Sequence, residues 1–256
     1  MLKLFRNLRR KLLSEKRLKN YLIYAFGEIV LVVIGILIAL AINNQNLQRQ
    51  RLKKEQTYLQ GLKNEFQISR AKLEELIRVN QSNLDGAKQI LSYCRPGLEK
   101  PTEKEFSELL YQTFASDISY NPNNSLLEEM INSGSLKDLT ENELRVKLTN
   151  WLATLDDISN QENELSEQRK LIINSFSQNQ YSLRTILDQS GITEQVIGVP
   201  QAKESVSNLS LLDQQFFENN LLQFILATQA TEEAHYKPLL KDLEAIQQAI
   251  DLAIAE

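Results

Sequence analysis

Histidine and cysteine are nearly absent: the 256 residues hold one of each, His235 and Cys94. A lone cysteine excludes an intrachain disulfide framework, and for Cys94 a small buried apolar role fits better than an intermolecular bridge. Glu232 and His235 have the Glu-x-x-His spacing of di-iron bundle proteins, but such a site needs two of these pairs. Only a symmetric dimer could supply the second. Cysteine or serine catalysis needs a histidine beside the nucleophile and a third orienting group, and nothing in the sequence connects Cys94 to His235. Glycine and proline are also scarce, at eight and five, which argues against a turn-rich β protein or a disordered chain. There is no glycine-rich phosphate loop and no repeat with a period of 20 to 50 residues. No catalytic, cofactor-binding or metal-binding residue is therefore assigned, and the expectation is a protein that is not an enzyme.

An excess of positive charge is likewise missing from most of the chain. Residues 1–20 hold eight basic side chains, Lys3, Arg6, Arg9, Arg10, Lys11, Lys16, Arg17 and Lys19, against Glu15 alone. With Glu28 set aside as well, residues 43–256 keep 21 basic and 31 acidic side chains, a net charge of −10. A surface that neutralises a phosphate backbone is basic, so nucleic acid is not an expected partner.

What the chain does have is one long apolar run. Tyr21 to Ile42, YLIYAFGEIVLVVIGILIALAI, is 22 residues interrupted only by Glu28. As a helix it reaches about 33 Å, enough for a hydrocarbon core of about 30 Å. Cytoplasmic flanks carry the excess of Lys and Arg. The arm before the run, with Arg6, Arg9, Arg10, Lys11, Lys16, Arg17 and Lys19 as its topology signal, predicts a cytoplasmic N-terminus, a single pass and an exported remainder. Leu2, Phe5, Leu8, Leu12 and Leu13 give the arm an apolar side that suits an anionic leaflet. Ala39-Leu40-Ala41 matches a signal-peptide cleavage pattern, but the run exceeds the 7 to 15 residues of a typical signal core, so retention is expected.

An intramembrane carboxyl costs about 2 to 3 kcal/mol even on insertion scales and usually faces a partner. At about 100° per residue, Gly35 and Ala39 fall within roughly 20° of Glu28. Glu28, Gly35 and Ala39 thus form one stripe, with small residues that admit a second helix and a carboxyl that hydrogen-bonds to it. They are the candidate membrane-helix packing residues. A proton-relay role for Glu28 would need a second ionisable group in the run, and there is none.

The block Gly27 to Asn44, GEIVLVVIGILIALAINN, at the end of a basic arm that runs into it as KNYLIYAFGE, resembles the N-terminal signature of uncharacterised single-pass membrane proteins of Bacteroidota, the domain-of-unknown-function 6090 family. That pattern normally continues Asn-Asn-Trp-Asn-Glu. Here it reads Asn43-Asn44-Gln45-Asn46-Leu47, without the Trp and the Glu. Leu126 to Arg145, LLEEMINSGSLKDLTENELR, is a looser match. The resemblance implies a bacterial inner membrane with the bulk of the chain, as a helical domain, in the periplasm. It implies no mechanism.

The exported part reads as helix nearly throughout. Leu52, Leu59, Leu62, Phe66, Leu73, Leu76, Ala87 and Ile90 keep a 3-4 rhythm, with Glu55, Ser69, Asn80 and Asn83 as polar interruptions. The helix is expected to continue from the anchor to Tyr93 and stop at Arg95-Pro96-Gly97. Thr102 with Glu105 forms a capping box before a short helix to Phe114. Asp117 to Asn124 is a loop, and Leu126 to Asn132 a helix closed by Gly134. Thr140 with Glu143 is a second capping box, opening a helix expected to reach Leu187 through Leu144, Leu148, Trp151, Leu155, Ile158, Leu165, Ile172 and Phe176, with Glu162 and Arg169 filling the pattern. Gly191 to Pro200 is a break. Leu209 to Phe217 reads as a short helix, followed by a long one from Asn219 or Asn220 to the end, kinked at Pro238.

The fold expected is all-α: an N-terminal transmembrane helix followed by an extended up-and-down bundle with coiled-coil-like packing. The domains are a basic arm 1–20, an anchor 21–42 and an exported domain 43–256. The expected function is a membrane-anchored periplasmic scaffold whose partners are the lipid bilayer and either itself or another envelope protein. A sensory or ligand-binding bundle acting through a partner protein is the alternative. A pocket of convergent polar groups inside the bundle would favour that alternative, and a filled core would count against it.

Overall fold

The computed structural model describes residues 18–95, 97, 99–177 and 180–255. Among these there is no strand. Seven α-helices follow in order: α1 Leu18–Tyr93, α2 Glu103–Phe114, α3 Ser125–Asn132, α4 Asn142–Ser175, α5 Leu183–Gln189, α6 Gln215–Ala230 and α7 Lys237–Ala255. Short 3-10 segments cover Ser135–Asp138 and Leu209–Asp213, and π-helical turns cover Thr193–Ile197 and Thr231–Tyr236. The chain divides into two compact units, one ending at Thr57 and the other starting at Tyr58.

In the first unit α1 is a helix whose apolar side chains find no cover. Leu22, Ile23, Phe26, Leu31, Leu37 and Ile42 are all more than half exposed. Leu52, expected on a buried stripe, is 50% exposed as well.

The second unit is an up-and-down bundle of four legs. The first is α1 from Tyr58 to Tyr93. The second descends beside it through α2, an irregular link and α3, since Gly86 lies against Thr113, Ser69 against Asn123 and Gly61 against Leu126. α4 ascends as the third, with Phe66 and Trp151 ring centroids 5.4 Å apart. The fourth descends through α6, the π turn and α7, since Asn80 meets Thr228 and Lys63 meets Asp251. Apolar spacing on each leg turns one stripe inward. Leu62, Leu73, Ile90, Phe106, Leu148, Phe217 and Leu243 are essentially inaccessible. Phe114 and Phe224 pack edge to face at 5.1 Å.

Local chemistry sets most of the helix ends. α1 stops at Tyr93 and the chain turns through Gly97, whose φ of 84° suits glycine. The capping box opens α2: Glu105 N donates to Thr102 Oγ1 at 3.2 Å and Thr102 N donates to Glu105 Oε2 at 2.8 Å. α3 follows Asn124, which makes no side-chain cap bond; its Oδ1 accepts from Trp151 Nε1 at 3.0 Å instead. Glu65 of α1 takes over the cap, accepting from Leu126 N at 2.7 Å and Leu127 N at 3.3 Å. A carboxylate there satisfies orphan donors and faces the positive helix end.

Three expectations need correction. The helix after Thr140 begins at Asn142. It ends at Ser175, not Leu187: Phe176 N and Ser177 N bond three residues back, and helix resumes at Leu183, where Ser182 caps Thr185 N at 3.1 Å. Buried Phe176 and Tyr181 hold the break in the core. The helix expected from Asn219 begins at Gln215 after a 3-10 segment. The irregularity expected at Pro238 is a π turn just before it, in which Lys237 N donates to Glu232 O. Proline has no N–H and its ring crowds the carbonyl four residues earlier, and the wider turn accommodates both.

Candidate functional site

Three places hold the residues that could act: the anchor, a buried polar seam in the second unit, and the grooves around it.

α1 carries Glu28, Gly35 and Ala39 on one uninterrupted helix. A Cβ built at Gly35 would meet nothing within 4 Å, so the chain's own packing does not demand that glycine. Glu28 is half-buried and has an interaction within the chain. Arg6, Arg9, Arg10, Lys11, Lys16 and Arg17 lie outside the described residues, and Lys19 lies in the first turn of α1. α1 is long and apolar enough to cross a membrane near the N-terminus.

The polar interruptions of the apolar stripes prove to be buried. Ser69, Asn80, Asn83, Glu162 and Glu232 are all under 9% exposed. Glu162 Oε1 accepts from Tyr236 Oη at 2.6 Å and from Tyr120 N at 2.9 Å. Tyr120 Oη donates to Ser69 O at 3.0 Å, and Asn123 N donates to Ser69 Oγ at 2.8 Å. Burial pushes the Glu162 carboxyl above its ordinary range, against the two donors that favour its ionised form.

One turn along, Glu232 accepts from Gln81 Nε2 at 3.0 Å and Asn80 Nδ2 at 3.4 Å, with Lys237 Nζ 3.3 Å away. Burial raises its pKa, but the donors from Gln81, Lys237 and Asn80 outweigh that and hold it below the usual carboxylate range. Unpaired buried carboxylates are strongly destabilising. The seam ties all four legs together, Asn80 Oδ1 being a buried oxygen in it without a hydrogen-bond partner among the described residues, and Glu162 and Glu232 line neither the groove at His235 nor the cavity at Arg169.

The half-motif at Glu232 and His235 separates in space. Glu232 faces Asn80 and Gln81 of α1, whereas His235 lines a groove of about 480 Å³ between α4 and α7, with Asp157, Glu164 and Asp242 along its walls. The π turn widens the step between the two residues, so three positions no longer return to the same face. Among the described residues no three His, Cys, Asp or Glu side chains converge as a metal would require. Cys94 is half-buried, its Sγ 3.7 Å from Ile90 O, and burial together with nearby Glu218 and Asp213 pushes its thiol up to about 11. It is a protonated thiol and a poor nucleophile.

A further cavity of about 240 Å³ lies between α2, α4 and α5, walled by apolar side chains with Arg169 among them. Arg169 appeared in the sequence only as a filler of a helical stripe. The cavity brings together residues from three separate helices, and no local pattern announces such a meeting.

The profile of a family described as a family of unknown function, DUF6090, matches residues 28–196, about two thirds of the chain. The chain belongs to this family. The DUF6090 match begins at Glu28, inside the apolar run, and extends through α2 to α5 into the π turn at Thr193–Ile197. No curated protein and no solved structure matches the chain. The family description assigns no activity.

Proposed function

We propose that this DUF6090 protein is a membrane-anchored periplasmic scaffold: α1 crosses the bacterial inner membrane once with the basic arm in the cytoplasm, and the helical bundle binds another envelope protein or a second copy of itself. The observation that carries this reading is the contrast between the two units. The second buries its apolar residues and satisfies its buried carboxylates internally, whereas the first leaves a row of large aliphatic side chains uncovered. An exposed apolar surface of that extent needs lipid or another helix against it.

The seam at Glu162 and Glu232 supports a binding role over a catalytic one. Its carboxylates are held by structural donors and line neither the groove at His235 nor the cavity at Arg169, and the one thiol is protonated.

The deciding experiment is affinity purification of the full-length protein from membranes at native expression, with the mass of the complex measured and co-purifying chains identified. A stoichiometric partner or a defined oligomer is expected. A clean monomer would overturn the scaffold reading.

A further inference from the structure

We propose that the cavity between α2, α4 and α5 is a binding site for a short amphiphile with an apolar tail and a single carboxylate, of the fatty-acid class. Leu110, Phe114, Ile173, Phe176 and Ile186 supply the apolar walls, and the volume is about 240 Å³. A water's share of liquid volume is about 30 Å³ and a methylene is of similar size, so the space suits a chain of roughly eight carbons.

The specificity comes from Arg169. Its Nε donates to Phe114 O at 2.8 Å and its Nη2 to Ala115 O at 3.2 Å, which fixes the guanidinium at the C-terminus of α2. Both acceptors are uncharged carbonyls. The nearest carboxylate oxygen, Asp117 Oδ2, is 3.9 Å from Nη1, beyond hydrogen-bond distance, and it already accepts from Ser166 Oγ at 3.1 Å. A largely buried cation beside an apolar cavity, whose one ion pair among the described residues is the long contact to Asp117 at 3.9 Å and whose hydrogen bonds go to uncharged carbonyls, is complementary to an anionic head group. A peptide C-terminus has a carboxylate too, but it would bring amide groups into walls that offer them only Tyr111 and Arg169 as polar neighbours. A hydrocarbon tail has no such groups to satisfy. This inference goes beyond the scaffold reading and does not depend on it.

The test uses the full-length protein in lipid nanodiscs and octanoic acid carrying a terminal diazirine. After irradiation, labelled residues are mapped by peptide mass spectrometry, and labels within the apolar segment of α1 are counted apart. Labelling should fall on residues 110–115, 169–176 and 183–187. A hundredfold excess of octanoate should reduce it at least fivefold, and 1-octanol less than twofold. Leu183, 48% exposed at the cavity rim, tolerates a polar side chain, so Leu183→Glu should keep the unfolding temperature while cutting labelling at least fivefold by charge repulsion.

Equal competition by octanol and octanoate would overturn the proposal, as would undiminished labelling of Leu183→Glu, or stronger competition by a peptide ending in leucine. A monomer that labels here would sink the scaffold and leave the site. An assembled complex without this label would do the reverse.

Discussion

Tyr236 of the π turn donates its hydroxyl to Glu162 of α4, Oη to Oε1 at 2.6 Å, across the interior of the bundle. Both residues are buried, Tyr236 completely. The pair joins the third and fourth legs at a depth where an unmet polar atom is expensive, so Tyr236→Phe should destabilise the bundle by about 1 to 3 kcal/mol. Denaturant unfolding of the full-length protein, followed at Trp151, measures it.

The same pair sets a pH dependence. Burial raises the Glu162 carboxyl above its ordinary 4.5, so the folded chain holds this proton more tightly than the unfolded chain. The stability it contributes is present below about pH 4.5 and is lost as the pH rises through the raised value. Glu162→Gln should flatten that part of the stability profile. Tyr236→Phe removes a donor to the ionised form and should steepen it. A wild-type profile identical to that of Glu162→Gln over this window would contradict the assignment.

Two glycines of α1 touch the second leg, and they should respond differently to alanine. At Gly86 a Cβ would strike Thr113 Oγ1, part of a buried residue whose hydroxyl is already bonded to Leu109 O at 2.7 Å. Neither group can retreat, so Gly86→Ala should cost about 1 to 3 kcal/mol. Adding Thr113→Ala should recover part of the loss, a coupling that a double-mutant cycle detects. At Gly61 the Cβ meets only the far end of the half-buried Leu126 side chain. That side chain can move, and the gain of about 1 kcal/mol in helix propensity should leave Gly61→Ala close to neutral.

Where adjacent residues decide an element, the sequence was legible. The stop at Tyr93 needs only the Arg95-Pro96-Gly97 triplet, and the start of α2 needs only Thr102 and Glu105. The rhythm Leu144, Leu148, Trp151, Ile158, Leu165 gives the buried face of α4 directly. What escaped depends on tertiary neighbours. Buried Phe176 and Tyr181 break the α4 pattern before Leu187, and Pro238 announces an irregularity but not a π turn, so the separation of Glu232 from His235 could not be foreseen. The cavity at Arg169 forms where three helices meet, and nothing local encodes it.

The cap of α3 is the sharpest of these long-range effects. Glu65 lies 61 residues before the Leu126 amide it accepts from. Glu65→Ala should cost about 1 to 2 kcal/mol, as loss of a helix cap does. Asn124→Ala should cost about 1 kcal/mol through the Trp151 indole rather than through the helix. Trp151 emission should shift in the second variant and not in the first. The same shift in both would show that the Glu65 cap and the Asn124–Trp151 bond are not independent.

Topology has a direct reading. A reporter active only in the periplasm, fused after Glu256, should be active if the arm of Arg6, Arg9, Arg10, Lys11, Lys16, Arg17 and Lys19 stays in the cytoplasm. A silent fusion at normal expression would reverse the orientation, and with it the placement of the bundle.

The role of the anchor stripe is best tested at Glu28 and Gly35 together. An intramembrane carboxyl disfavours insertion by about 2 to 3 kcal/mol, so Glu28→Leu should insert at least as well as the wild type. If the stripe packs on a second helix, the loss of the carboxyl's hydrogen bond to it should appear as weaker assembly, several-fold less partner recovered or a smaller complex. Gly35→Leu separates the two ways this could fail. Within the chain a Cβ at Gly35 meets nothing within 4 Å, so the variant meets no close contact of its own at that point, and a loss of assembly points to a neighbour approaching that face. Unchanged complexes in both variants would show that the stripe faces lipid, and would leave assembly to the bundle alone.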